Sequence, residues 1–342
     1  PWEVLKKDGT PFLVYSAYWR NFIDNFSPSS KMPCSIPPRP TKLKPQPLKT
    51  LDLLPKPRWD QKIFLHWQVG SQEAQKKLLI FSKAPITNYD DLRNKPALHG
   101  TSRLSPHLRF GEISPSTIWC KIEKKWGPPH SKQNPGVMQY YKELVWREFS
   151  YYLLFHYPRL VSKPLREKFE SFPWQKNTSF LRCWQQGQTG YPMVDAGMRE
   201  LYATGWMHNR VRMITASFLV KHLLIHWSQG AHWFFDCLVD GDMASNIQGW
   251  QWVAGSGADA SPYFRIFNPI LQGEKYDPHQ QYVKKWCPEL SNLSPKYLHS
   301  PWTAPKEVLQ AAGVVLGQNY PKPIVDHDRA RKKALSSYRS LS

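Results

Sequence analysis

Apolar positions along this chain recur mostly at helical spacing. In VMQYYKELVWREFSYYLLF, residues 137–155, Tyr141, Leu144, Val145, Phe149, Tyr152 and Leu153 match that spacing and predict a helix with one apolar face. DAGMRELYATG, residues 195–205, predicts a second helix with an Asp at its start and a Gly at its end. NRVRMITASFLVKHLLIHW, residues 209–227, is a long, strong helix former. GSGADASP, residues 255–262, predicts a loop. Convincing alternating strands are scarce, and no internal repeat is present. Residues 28–58 are rich in Pro and Lys and predict an extended linker that cannot form a long helix. The expected fold is mostly α, with residues 1–58 as a connecting stretch and one helical domain over 59–342.

Composition narrows the class. With 342 residues and 41% hydrophobic content, the chain can bury a sizeable core. It has no run of about 18 apolar residues, so no membrane span is expected. The start, PWEVLKKDGTPF, lacks the basic-then-apolar order of a signal peptide, so secretion is not expected. It also lacks an initiator Met, and the chain is expected to begin partway into a longer gene product. The five cysteines form no CxxC pair and are odd in number, which argues against structural zinc and against a disulfide framework. Reduced thiols in a cytoplasmic compartment are expected.

Charge adds a partner class. Lys and Arg number 46 against 26 Asp and Glu, a formal net charge of +20. Such a balance suits a polyanion, and nucleic acid is the commonest; a merely soluble basic enzyme is the other reading. The 16 tryptophans are unusually many. They fit a core, base stacking, flavin stacking or an electron relay, and composition does not choose among these.

Three motifs carry candidate chemistry. GTSRLSPHLRFGEIS, residues 100–114, offers the hydroxyls of Thr101, Ser102 and Ser105 beside a helix start. It reads as a phosphate cradle or as an ordinary helix cap. On a helix, Asn209, Arg212, Met213 and Ala216 share one stripe, a poor core face whose Arg wants a carboxylate or a ligand. Asp240 or Asp242 in DGDMASNIQGWQW, residues 240–252, could supply that carboxylate. In ELVWREF, Glu143 and Trp146 share a face that could bond and stack a base; a surface salt bridge with Arg147 beside a core Trp is the alternative.

Taken in order, GTSRLSPHLRFGEISP, ELVWREF, GQTGYPMVDAGMREL, TGWMHNRVRMITASFLVKHLL, DGDMASNIQGWQW and SPYFRIFNP resemble the photolyase/cryptochrome family over roughly residues 60–325. The nearest similarity is to class I cyclobutane pyrimidine dimer photolyases. The resemblance implies a helical domain holding FAD in a bent form. Tyr89, Thr101, Ser102, Arg103, Leu104 and Ser105 would serve its pyrophosphate side. Tyr140, where relatives often have Trp, and Arg147 and Trp206 would lie near it. Asn209, Arg212, Asp240, Gly241, Asp242 and Asn246 would surround the ring, with both aspartates paired to Arg212. Asn246 would face N5, where an amide cannot readily supply a proton and so favours full reduction.

By the same resemblance, Trp250, Trp227 and Trp174 are the proximal, middle and distal members of an electron relay. Trp146 and Trp252 would sandwich the lesion, and Glu143 would bond its base edge. Met213 stands where six-four repair enzymes usually have His. Arg210 and Arg265 would contact DNA phosphate. The implied activity is light-driven repair of cyclobutane dimers in UV-damaged DNA by reduced FAD. It would act as a monomer, in the cytoplasm or at the nucleoid, without a metal or a membrane. The dimer would be flipped out of the duplex, as general accounts of base flipping already state for photolyases. The N-terminal α/β domain of the family is missing from this chain, so no antenna chromophore is expected in it. DGTPFLVYSAYWRNF resembles the end of that domain or the start of the linker. A flavin light receptor and a DNA-binding remnant without FAD are the competing functions.

Overall fold

The computed structural model describes residues 2–26, 28, 44–260 and 264–341. Its longer helices are α1 Tyr15–Asn25, α2 Ser71–Lys83, α3 Pro115–Trp126, α4 Pro135–His156 and α5 Pro192–Thr204. They continue with α6 Asn209–Ser217, α7 Trp227–Cys237, α8 Met243–Ala254 and α9 His327–Arg339. Among the described residues, β-structure is limited to one isolated bridge, Leu316 to Tyr320. The mostly α expectation holds.

Helix α4 is central. Asn134 caps it, its side chain accepting from the N–H groups of Gly136 and Val137 at 2.9 and 3.2 Å. A cap of this kind contributes about 1 kcal/mol. Gly136 is required there, because a Cβ would sit 2.3 Å from the Ile86 carbonyl oxygen. All six apolar positions expected to face inward are buried, and Tyr141, Phe149 and Tyr152 are fully so. Each such aromatic contributes roughly 1.5–3 kcal/mol by leaving water. Helix α8 crosses α4, and α7 packs on α8.

Helix α1 belongs to the same core through Tyr15, Tyr18 and Phe22. The Tyr15 hydroxyl donates to the Lys142 carbonyl at 2.6 Å, and Phe12 N–H donates to the Tyr152 hydroxyl at 2.7 Å. Of the linker expected over 28–58, residues 29–43 lie outside the described residues; the described part, 28 and 44–58, carries one short 3-10 turn, Leu48–Leu51, and no long helix. Leu53 within it, and Leu65 and Val69 beyond it, expose apolar side chains.

Two helix expectations are corrected. The second helix starts three residues early, at Pro192, and ends at Thr204 with Gly205 in the left-handed region at φ 67°. Asp195 is therefore inside its first turn, fully buried, where it accepts from Thr189 N–H and hydroxyl, Gly190 N–H and Tyr320 hydroxyl at 2.7–3.0 Å. The stretch 209–227 is two helices. Helix α6 stops at Ser217, a π-helical turn follows over Phe218–His222, and Leu224 turns at φ 52°. Gln175 N–H takes the Leu224 carbonyl at 2.7 Å, and His226 caps the new helix α7 through Ser228 N–H at 3.2 Å. Tertiary hydrogen bonds supply what a continued helix would have lost, so strong local propensity gives way.

Candidate functional site

A cavity of about 190 Å³ opens among α6, α7, α8 and the turn that joins the last two. The stripe of Asn209, Arg212, Met213 and Ala216 lines one wall. Phe234, Leu238, Trp250 and Val253 supply apolar surface, and Asp240, Gly241, Asp242 and Asn246 supply the polar rim. Helical period places 209, 212, 213 and 216 together because residues three and four apart are neighbours.

The two aspartates have different jobs, which corrects the expectation that both pair with Arg212. Asp240 takes a bidentate bond from one Arg212 nitrogen at 2.8 and 3.0 Å, while Arg212 Nε donates to the Met207 carbonyl at 2.7 Å. Asp242 is the N-cap of α8. Its Oδ1 accepts from Ser245 N–H at 2.8 Å, and its Oδ2 accepts from the Tyr151 hydroxyl. Asn246 donates its amide N–H to the Ala231 carbonyl at 2.8 Å. The carbonyl can only accept, so the amide orientation follows and the Asn246 oxygen is left for the cavity.

The hydroxyl-rich segment lies behind this rim. Tyr140 donates to Ser102 Oγ at 3.1 Å, and Tyr89 meets the Tyr140 ring edge-on at 5.2 Å. Leu104 is buried, Thr101 is half-buried and Ser105 is exposed. The helix expected here is one short turn, Ser105–Arg109. Arg103 adopts φ 50° and lies over Trp206 at 4.5 Å, while Arg212 lies over the same indole at 6.0 Å. Arg109 Nε donates to the Gly241 carbonyl at 2.7 Å. Trp206, Arg109 and Tyr151 thus join the segment and α4 to the cavity rim. Arg147 bonds Glu148 at 2.8 Å and the Tyr151 hydroxyl at 3.4 Å, so it does not pair with Glu143.

Glu143, Trp146 and Trp252 do not line the cavity but form a neighbouring cluster. Glu143 pairs with Arg93 at 2.9 Å and accepts from Gln139 at 2.8 Å. Burial pushes its carboxyl above the usual range, with Arg93 and Gln139 opposing. Trp146 stacks on Tyr15, centroids 3.7 Å apart and planes within 8°. Trp252 Nε1 donates to the Asp259 carbonyl at 3.1 Å, and Asp259 N–H donates to the Leu13 carbonyl at 3.1 Å.

Arg210 is neither free nor acid-paired. It bonds Asn94 Oδ1 at 2.5 Å and sits over Tyr276 at 4.4 Å. Desolvation, then the neighbouring Arg93 and Arg265, holds its guanidinium below the usual range, while Tyr276 opposes. Arg265 is exposed. Of these neighbours Arg93 is already paired with Glu143, which leaves Arg210 and the exposed Arg265 as the cations here.

Tryptophans 250 and 227 are buried, and Trp174 is partly exposed. Trp174 meets His226 edge-on at 5.2 Å, immediately before Trp227. One turn after Trp227, Gly230 makes room for Trp250; a Cβ there would lie 2.1 Å from the indole. Trp250 Nε1 is buried without a hydrogen-bond partner among the described residues. Trp184 and Phe234 wedge against Trp250 at 6.0 and 5.0 Å.

Sequence reasoning missed Tyr15, Arg93, Tyr151, Arg109 and Gly230. Gly230, inside a helix, was the one with a readable signal, since a helix-interior Gly costs about 1 kcal/mol and usually has a packing reason. The four other residues act across long sequence separations. Among the described residues, no helix is long and apolar enough to cross a membrane, and no group of three or more His, Cys, Asp or Glu is placed to hold a metal ion. Cys120, Cys183, Cys237 and Cys287 are free thiols, and Cys34 lies outside the described residues.

The donor set suits a flat heteroaromatic ring whose edge alternates carbonyl and N–H groups. Arg212 and Asn209 can donate, Asp240, Asp242 and the Asn246 oxygen can accept, and apolar side chains can cover the faces. Comparison with known proteins agrees. Residues 140–340 match the model of the FAD binding domain of DNA photolyase. A deoxyribodipyrimidine photo-lyase of Agrobacterium fabrum is 47% identical, covering 100% of this chain and 71% of that protein. Cryptochrome-1 of Arabidopsis thaliana is 38% identical, covering 97% of this chain but 50% of its own length. The crystal structure of a bacterial class III photolyase from Agrobacterium tumefaciens superposes with TM-score 0.89 at 46% identity, covering 100% of this chain and 71% of that one. That relative is named class III, where sequence reading expected similarity to class I. The match over residues 140–340 and these relatives place the chain in the photolyase/cryptochrome family as a carrier of its FAD-binding domain.

Proposed function

We propose that the chain is a deoxyribodipyrimidine photo-lyase that repairs cyclobutane pyrimidine dimers in UV-damaged DNA with light and FAD. The observation that carries this reading is the double use of α6. Its Asn209, Arg212 and Met213 line the cavity, while Arg210 on the same helix is held against Asn94 and Tyr276. One helix would thereby serve both a flavin pocket and a phosphate contact at Arg210.

The chemistry supplied by bound, reduced FAD is donation of one electron from its light-excited state and recovery of that electron once the cyclobutane ring has opened. Asp240, Arg212, Asn209 and Asn246 would hold the ring edge. Asn246 would face the ring with an amide that has no titratable proton to give. Tyr89, Ser102, Tyr140 and Arg103 would hold the phosphate side. Met213, which lines the cavity, would offer the substrate an apolar thioether in place of an imidazole. Glu143, kept from easy ionisation by burial, would bond the base edge of the dimer, with Trp146 and Trp252 flanking it. Trp250, Trp227 and Trp174 would refill the flavin from the surface inwards. Arg210 and Arg265 would neutralise backbone phosphates, which positions DNA without reading sequence.

Reduced protein mixed with UV-damaged oligothymidylate should restore thymine absorbance under blue light and not in the dark. Glu143→Ala should slow this recovery about tenfold, the loss of one buried hydrogen bond of ~1.4 kcal/mol, with flavin content unchanged. Absence of recovery from flavin-loaded, reduced protein would reject repair in favour of a light receptor. Equal loss of flavin and repair in the variant would remove Glu143 from the substrate.

A further inference from the structure

Lys221 lies on the π-helical turn after α6 and is 2% exposed. Among the described residues no carboxylate pairs with it. A buried ammonium without a counter-ion is costly, so its other contacts matter. Its Nζ donates to the Arg265 carbonyl at 2.7 Å and lies 3.8 Å from the centroid of the Phe264 ring. Four residues earlier, Ser217 Oγ accepts from Phe267 N–H at 3.3 Å. Positions 217 and 221 are one helical turn apart, and they meet backbone groups two residues apart, at 265 and 267. The end of α6 thus holds both backbone groups from one side. On the other side, Phe264 stacks on Tyr338 of α9, centroids 4.6 Å apart and planes within 8°. The Arg265 backbone is held at 264, 265 and 267, while its side chain is exposed.

We infer that Lys221 is a positioning residue for DNA binding: its hydrogen bond to the Arg265 carbonyl and its contact with Phe264 fix the segment that presents the Arg265 guanidinium to phosphate. This rests on the repair reading above, in which Arg265 meets DNA. Lys221 itself is too buried to meet phosphate, so its effect must pass through Arg265. Ordering Arg265 in advance removes part of the entropy cost of the contact. The π turn is what brings the Lys221 Nζ to this carbonyl, a use in keeping with such turns at functional places.

A double-mutant cycle tests the coupling. Flavin-loaded full chain is titrated with fluorescent UV-damaged oligothymidylate over a range of salt, using Lys221→Met, Arg265→Ala and the double variant. Arg265→Ala should lower the slope of log Kd against log salt by about 0.7, as for one phosphate lost from a single strand. Lys221→Met should weaken binding about threefold to tenfold and lower the slope in the same direction. The double variant should bind no more weakly than Arg265→Ala alone, and Lys221→Arg should restore the wild-type slope. Additive losses in the double variant would overturn the inference while leaving Arg265 as a DNA contact. A silent Arg265→Ala variant would overturn the contact and the inference together. If Lys221→Met does not fold, Phe264→Leu reads the same coupling: a wild-type slope in that variant, with the slope of Arg265→Ala lowered, would overturn it.

Discussion

Asp240→Ala is expected to strip the protein of flavin and to cost about 3 kcal/mol of stability. Asp240 is 3% exposed on its side chain and is the carboxylate that Arg212 meets. Removing it leaves a guanidinium half-sunk beside the cavity with one remaining bond, to the Met207 carbonyl. Breaking a buried pair by deleting one partner costs about 3–5 kcal/mol, and the partial exposure of Arg212 puts this case at the low end. Asp240→Asn keeps shape and hydrogen bonding but not charge, so it should lose less stability and still bind flavin poorly. Flavin absorbance of the purified protein, with urea unfolding of both variants, checks this. A yellow, fully stable Asp240→Ala protein would show that the Arg212 pair holds nothing in place.

Trp250→Phe is expected to abolish light-driven reduction of oxidised flavin while leaving repair by chemically reduced protein intact. Trp250 lines the cavity and is the indole against Gly230, one turn from Trp227. Phe keeps an apolar wall but oxidises far less readily. The structural cost should be small, about 1–2 kcal/mol, for two reasons. The substitution removes part of a ring rather than a whole side chain, and the indole N–H it deletes has no partner to strand. Flash absorbance of the oxidised protein and repair by dithionite-reduced protein separate the two activities. Loss of both would make Trp250 a packing residue and not the first member of a relay.

Local pattern was enough for much of the helical scaffold. The apolar spacing of 137–155 marks a buried face, and that face is buried residue for residue, because amphipathic spacing is a property of the segment itself. Gly205 ends its helix because only a residue without Cβ takes φ 67° cheaply. The stripe 209, 212, 213, 216 was legible from helical period alone, and it lines the cavity.

Three-dimensional packing decided the rest. The 209–227 stretch has uninterrupted helical propensity, yet it breaks after Ser217. The bonds that compensate come from Gln175 and from the His226 cap, outside any local window. Asp240 and Asp242 are indistinguishable as letters; one meets Arg212, and the other is taken by the end of its own helix and by Tyr151 from α4. The partner of Glu143 is Arg93, fifty residues away in sequence, and not the adjacent turn's Arg147. By itself, then, the sequence determined the helical class, the faces of its helices and the family to which their motifs point. Which acid meets which base was settled only in the fold, because a hydrogen bond depends on distances that helical period does not encode across elements.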